Sequence, residues 1–146
     1  MSLLENPLVK DVLSEQNLGV LATTGKEYPY TTLISFIMIE DGLHIIFSTM
    51  RQTRKYKNIV KHPKVSILVS TSKNNIDDFK DAVSITLLGT ASITEGEERE
   101  KAQKVFLGKF PFLEDFVSDP SSELIRVRIE KAIVVTRFQN VREITL

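Results

Sequence analysis

The chain has 146 residues, 42% apolar and 26% charged, the size and composition of one globular domain. Its 19 basic and 19 acidic side chains cancel, so the whole chain makes no electrostatic case for nucleic acid or an anionic membrane. The absence of cysteine excludes disulfides, thiolate metal sites and thiol nucleophiles, and His44 and His62 are the only imidazoles. No apolar run approaches the roughly 18 residues of a membrane span. The start, Met1-Ser2-Leu3-Leu4-Glu5, has neither the basic nor the long apolar region of a secretory signal. The expectation is one cytoplasmic domain over residues 1–146.

Asn6-Pro7 reads as a cap followed by a first-turn proline, opening a short helix with Leu8, Val9, Val12 and Leu13 on one face and ending by Gly19. The texture then turns strand-like: Gly19–Thr24, a turn at Gly25-Lys26, and a long run from Tyr30 to Ile39. Asp41-Gly42 between two apolar runs predicts a hairpin, with the return strand over Leu43–Ser48. Thr53–Lys61 predicts a short helix capped by Thr53 and stopped by His62-Pro63. Val65–Ser70 is a β-branched strand, and residues 72–80 are polar and turn-like. Ala82–Thr94 is a long strand in which Gly89 marks a bulge or bend. Glu95–Lys109 is the best helix, with Ala102, Val105 and Phe106 as its apolar face. Phe110-Pro111-Phe112 breaks it, with a further turn over Leu113–Val117. Leu124–Ile129 and Ala132–Phe138 close the list of strands. Six or seven strands joined by tight turns, with two or three peripheral helices, point to a mainly β, closed or nearly closed barrel.

One stretch breaks the charge balance. Residues 51–64 hold Arg51, Arg54, Lys55, Lys57, Lys61 and Lys64 and no acid, where a strand runs into a helix with Thr49 and Thr53 at the junction. The free N–H groups and partial positive charge of a helix start, with hydroxyls and a guanidinium fork beside them, are the ingredients of a phosphate site. From charge alone, a solvated basic helix face is the more ordinary reading. Nucleic acid is disfavoured because Tyr56 and His62 are the only rings in the patch. Asp77, Asp78 and Asp81 lack the second cluster a metal site needs, and no Ser/His/Asp or paired-carboxylate arrangement stands out.

Residues 47–68 resemble the signature of the pyridoxamine 5′-phosphate oxidase-like flavoproteins. A strand ends in Ser48-Thr49, Thr53-Arg54-Lys55 opens a helix, and His62-Pro63-Lys64-Val65-Ser66 starts the next strand. The order of elements extends the resemblance over residues 5–138. It implies a split β-barrel that pairs into a homodimer and binds FMN at the dimer interface. By the same resemblance Arg54 and Lys55 would clamp the FMN phosphate, with Ser48, Thr49 and Thr53 near the ribityl-phosphate end. The strand carrying Thr32, Leu33, Ile34 and Ser35 would run past the flavin, and Ser84 stands where the oxidase has a flavin-contacting glutamine.

The departures matter too. Thr32, Ile37, Phe106 and Phe110 stand near positions where the vitamin B6 oxidase carries an arginine, a lysine, a tyrosine and an arginine that grip phosphate or substrate; Lys109 is the nearest substitute. The oxidase's C-terminal basic segment is also missing: the chain ends Asn140-Val141-Arg142-Glu143-Ile144-Thr145-Leu146. Vitamin B6 oxidation is therefore not assigned. Phe36, Phe106, Phe110 and Phe112 are read either as pocket lining or as core. The expected function is an FMN-dependent oxidoreductase acting on a small organic molecule. The alternatives are a non-catalytic flavin carrier or sensor, or a binder of haem or deazaflavin on the same barrel.

Overall fold

The computed structural model describes residues 2–146; Met1, the first residue of the expected absence of a signal, lies outside the described residues. After a 3-10 turn at Leu3–Glu5, the elements are α1 (Pro7–Glu15), β1 (Leu18–Thr24), β2 (Pro29–Met38), β3 (His44–Met50), α2 (Arg54–Lys61), β4 (Lys64–Ser70), the single turn α3 (Asp78–Asp81) and β5 (Val83–Ile93). They continue with α4 (Gly96–Lys109), a 3-10 turn at Pro111–Leu113, α5 (Glu114–Ser118), β6 (Ser122–Thr136) and β7 (Asn140–Thr145). The strands run antiparallel in the order β3-β2-β1-β4-β5-β6-β7, and β3 also pairs with β6. That closure makes a six-stranded barrel, with β7 a hairpin extension of β6. No helix among the described residues is long and apolar enough to cross a membrane.

Strand alternation fills the barrel. Leu21, Ile34, Phe36, Ile45, Phe47, Ile67, Ile85, Leu87, Val127 and Ala132 point inward and are buried. α1 covers one end of the barrel: Asn6 accepts the Val9 N–H, Pro7 fills the first turn, and Val9, Val12 and Leu13 are buried. Leu8, expected on that face, is 41% exposed, because position 8 falls on the outer side of the first turn. A second apolar cluster joins Ala102, Phe106 and Phe110 to Ile46, Val117 and Leu124 on the outside of β3 and β6. Val105 points away from it. Phe36, Phe106 and Phe110 are therefore core; of the four rings expected either as lining or as core, only Phe112 is open to solvent.

Two late expectations need correction. Residues 122–136 form one strand, not two: Leu88 pairs with Lys131 and Gly89 with Ile129, so Glu130 is the extra residue of a bulge. A Cβ on Gly89 would lie 2.3 Å from the Arg128 carbonyl oxygen, so only glycine fits opposite that bulge. The strand β7 was not anticipated. Its hairpin turn sets Arg137 and Phe138 at φ of 51° and 61°, a left-handed geometry signalled by Asn or Gly rather than by these residues.

Candidate functional site

The barrel is split along one seam. β2 and β3 pair only through Phe36, Ile37 and Met38 with Phe47, Ile46 and Ile45. Below Phe36, β2 pairs with β1 alone, and beyond Phe47, β3 pairs with β6 alone. The ladder parity follows from two bonds: Phe36 N–H donates to Asn17 O, and Ile39 N–H donates to His44 O. Residues 31, 33 and 35 therefore turn their backbone N–H and C=O away from β1 and into the seam. Of the expected site residues on β2, Ile34 is buried in the core and reaches the seam through neither side chain nor amide. Thr32 shares its parity, Leu33 is exposed and Ser35 is half-buried on the outer face.

At the lower end of the seam, β3 runs into α2 through a turn locked by hydroxyls. Thr49 is 1% exposed, and its Oγ1 lies 2.8 Å from Thr53 Oγ1. Thr53 Oγ1 donates to Met50 O at 2.8 Å and accepts the Tyr56 N–H at 3.3 Å, capping the helix. Both threonines are thus engaged within the cap, where they shape the turn. Ser48 Oγ is likewise 3.1 Å from Ser122 Oγ. The Thr53 carbonyl takes the Lys57 N–H, so the helix start leaves the Arg54 and Lys55 N–H groups at its open end.

The basic run divides into two groups. Arg51 donates to Glu123 Oε1 at 2.7 Å and to Pro120 O, and Arg99 holds the other oxygen of the same carboxylate. Lys64 on β4 pairs with Glu130 on β6, across β5. Among the described residues Arg54, Lys55, Lys57 and Lys61 have no carboxylate within ion-pair reach. Arg54 lies over the Tyr30 ring, 5.3 Å from its centroid. It lines a cleft of about 390 Å³ between the β1–β2 loop and α2, which Asn58 pins to β1 by donating to Thr23 Oγ1 at 3.0 Å. Lys55 is half-buried, and that burial pushes its ammonium below the ordinary lysine value of 10.5. A desolvated cation without a counter-ion gains most from an incoming anion.

Two other expected positions lie elsewhere. Ser84 pairs with Ser70 and Val135, level with the Leu18 end of β1, whereas Tyr30 pairs with Thr23. Five residues of strand, roughly 17 Å, separate the two levels within one chain. Lys109 does not face the seam. It donates to Gln16 O at 2.8 Å and to Phe36 O at 3.2 Å, pinning α4 to α1 and β2, and burial lowers its pKa. A cleft of about 730 Å³ between residues 2–8 and β7 contains none of the expected groups. The seam itself was not legible as a site in the sequence, since it is made where strand pairing stops.

Comparison with known proteins agrees with this architecture. The family model described as pyridoxamine 5′-phosphate oxidase matches residues 6–136. General stress protein 26 of Bacillus subtilis (strain 168) is 30% identical over 122 residues, 84% of this chain and 81% of that protein. Among solved structures, a haem-binding protein from Mycobacterium smegmatis superposes with a TM-score of 0.81 at 18% identity; 92% of this chain spans 55% of that longer one. An FAD-binding protein from Mesorhizobium loti superposes with a TM-score of 0.70 at 19% identity, covering 92% of each chain. The split barrel, the strand-to-helix signature and these matches lead to one conclusion: the chain belongs to the pyridoxamine 5′-phosphate oxidase family, outside the branch of the vitamin B6 oxidase itself.

Proposed function

We propose that the protein binds FMN as a homodimer and serves as an oxidoreductase for a small organic substrate. The observation that carries this reading is the pair of cations at the open start of α2. Arg54 and Lys55 lack acid partners and stand at the start of a helix with two free N–H groups, and Arg54 also reaches the start of β2 through Tyr30. A terminal phosphate monoester fits that donor set: the first turn of one helix carries a guanidinium fork, an ammonium and free backbone N–H groups where the helix dipole is positive. The seam-facing amides of Leu33 and Ser35 are placed to take polar groups of an elongated ligand along β2. Bound flavin would supply hydride and electron transfer; the chain supplies anchoring and orientation, so no acid or base side chain is required.

The dimer is supported by the outer sheet face. Leu33, Val20, Leu68, Thr86 and Ile133 are successive cross-strand partners on β2, β1, β4, β5 and β6. Leu33 is 65% and Leu68 40% exposed, an apolar row that a second copy would cover.

The test is reconstitution of purified protein with FMN, FAD and haem, followed by light scattering and by reoxidation of the reduced complex with an electron acceptor. The reading expects FMN to bind most tightly, to a dimer, with turnover. Tighter binding of FAD or haem, or a monomer holding flavin, contradicts it. Binding without turnover selects the carrier function instead.

A further inference from the structure

α2 is eight residues long and reaches the barrel core through Ile59. A helix this short is not held by its own hydrogen bonds, so the direction of its first turn is set by what fixes the chain before it. The Thr49 and Thr53 hydroxyls fix the turn from Met50 to Thr53 from within. Arg51 fixes it from outside. The Arg51 N–H donates to Ser121 O at 2.9 Å, one step beyond the Met50–Ser122 pair that ends the β3–β6 ladder. Its guanidinium donates from Nη1 to Glu123 Oε1 at 2.7 Å and from Nη2 to Pro120 O at 2.8 Å. One residue thus ties the turn to residues 120–123 through its backbone and through both terminal nitrogens of its side chain.

The anchor is itself braced. Glu123, whose side chain is 17% exposed, takes a second arginine: Arg99 Nη1 of α4 lies 3.4 Å from its Oε2. Arg99 also donates to Ser122 O at 3.1 Å and to Val117 O at 3.3 Å. A carboxylate gripped by two planar forks has little freedom to move, and a fork that spans two acceptors has no equivalent in lysine. Arg51 therefore stands in the basic run, three residues before Arg54, with its terminal donors committed to the geometry of the turn.

We propose that Arg51, locked by Glu123, is a positioning residue of the phosphate site: it holds the first turn of α2 in the orientation that presents Arg54, Lys55 and the free helix N–H groups to a phosphate. This role rests on the phosphate reading and adds to it a residue outside the Thr53-Arg54-Lys55 signature. Position and charge have opposite consequences at Glu123. Acting by charge alone, Arg51 would gain from the loss of Glu123, which raises the local positive potential and frees the guanidinium, and FMN would bind more tightly. Acting by position, it loses its lock, and FMN binds more weakly.

The experiment titrates full-chain apoprotein with FMN and with riboflavin, which carries the ring and ribityl chain without the phosphate. Wild type is compared with Arg51→Lys, Glu123→Ala and Arg54→Ala. Arg51→Lys keeps the charge and lacks the fork that spans both acceptors; Glu123→Ala removes the lock. Each is expected to lower FMN affinity roughly 2- to 10-fold, the worth of one ordinary hydrogen bond, with riboflavin affinity and the far-UV circular dichroism unchanged. Arg51→Lys leaves the Glu123–Arg99 pair in place and carries the test alone if Glu123→Ala does not fold. With FMN affinity reduced in Arg54→Ala, three results each overturn the positioning role and leave the phosphate site standing: unchanged FMN affinity in Arg51→Lys, tighter FMN binding in Glu123→Ala, or a parallel loss of riboflavin. Wild type that binds riboflavin as tightly as FMN, or Arg54→Ala that binds FMN unchanged, overturns the phosphate site and the positioning role with it.

Discussion

Arg54 rests its guanidinium over the ring of Tyr30, 5.3 Å from the centroid, and no carboxylate holds it there. The contact joins the first turn of α2 to the start of β2 across the open seam. A guanidinium held by its face keeps its in-plane N–H groups free, so stacking orients the fork without spending its donors. Tyr30→Leu should weaken FMN binding about 2- to 5-fold, the value of an exposed cation–π contact, whereas Tyr30→Phe should retain it. Flavin-fluorescence titration of both variants checks this, and equal loss in both would assign the effect to the hydroxyl.

Asp41 predicts a pH dependence. Burial pushes its carboxyl up, but the Leu43 N–H, the His44 ring 2.6 Å away and the His44 N–H outweigh it, leaving the group below its ordinary 3.8. A carboxyl lowered by folding contributes stability that is present above pH 3.8 and lost as pH falls through the folded value. Asp41→Asn keeps the acceptor for the turn and removes the charge. It should cost no more than about 1 kcal/mol at neutral pH, since the pair is solvent-screened. The gap to wild type should narrow in urea titrations as the pH is taken down below 3.8. A gap independent of pH would refute the assignment.

Two glycines should respond oppositely to alanine. At Gly89 the new methyl would meet Arg128 O at 2.3 Å and Val127 Cγ1 at 2.9 Å, and backbone at a bulge cannot give way. Gly89→Ala should destabilise by about 3 kcal/mol, the upper end of overpacking costs. Gly108, in the last turn of α4, has nothing within 4 Å, so Gly108→Ala should stabilise by about 0.5 kcal/mol. Denaturant unfolding of the pair decides it.

The local grammar of the chain was readable: Asn6-Pro7, Asp41-Gly42 and Thr53 each do what their chemistry implies. What the sequence hid is whatever depends on distant partners. Arg51 belongs to the same basic run as Arg54, yet Glu123, 72 residues away, neutralises one and leaves the other free. Ser84 stands at the family's glutamine position but lies at the far end of the strands from Arg54, a relation set by register alone. Leu8 and Val105 fit a helical stripe in sequence, and only docking shows that the stripe is narrower. The Arg137-Phe138 turn was invisible because its left-handed geometry contradicts its residues.

The central claim is that Arg54 and Lys55 form a phosphate clamp. Titration of apoprotein with FMN, followed by flavin fluorescence, compares Arg54→Ala and Lys55→Ala with Lys57→Ala and Lys61→Ala further along the same helix. Each clamp substitution removes a charge-assisted hydrogen bond worth about 1.5–3 kcal/mol, so affinity should fall roughly 10- to 150-fold, with folding intact and little change in the two controls. Equal losses at all four positions, or none at Arg54 and Lys55, would contradict it.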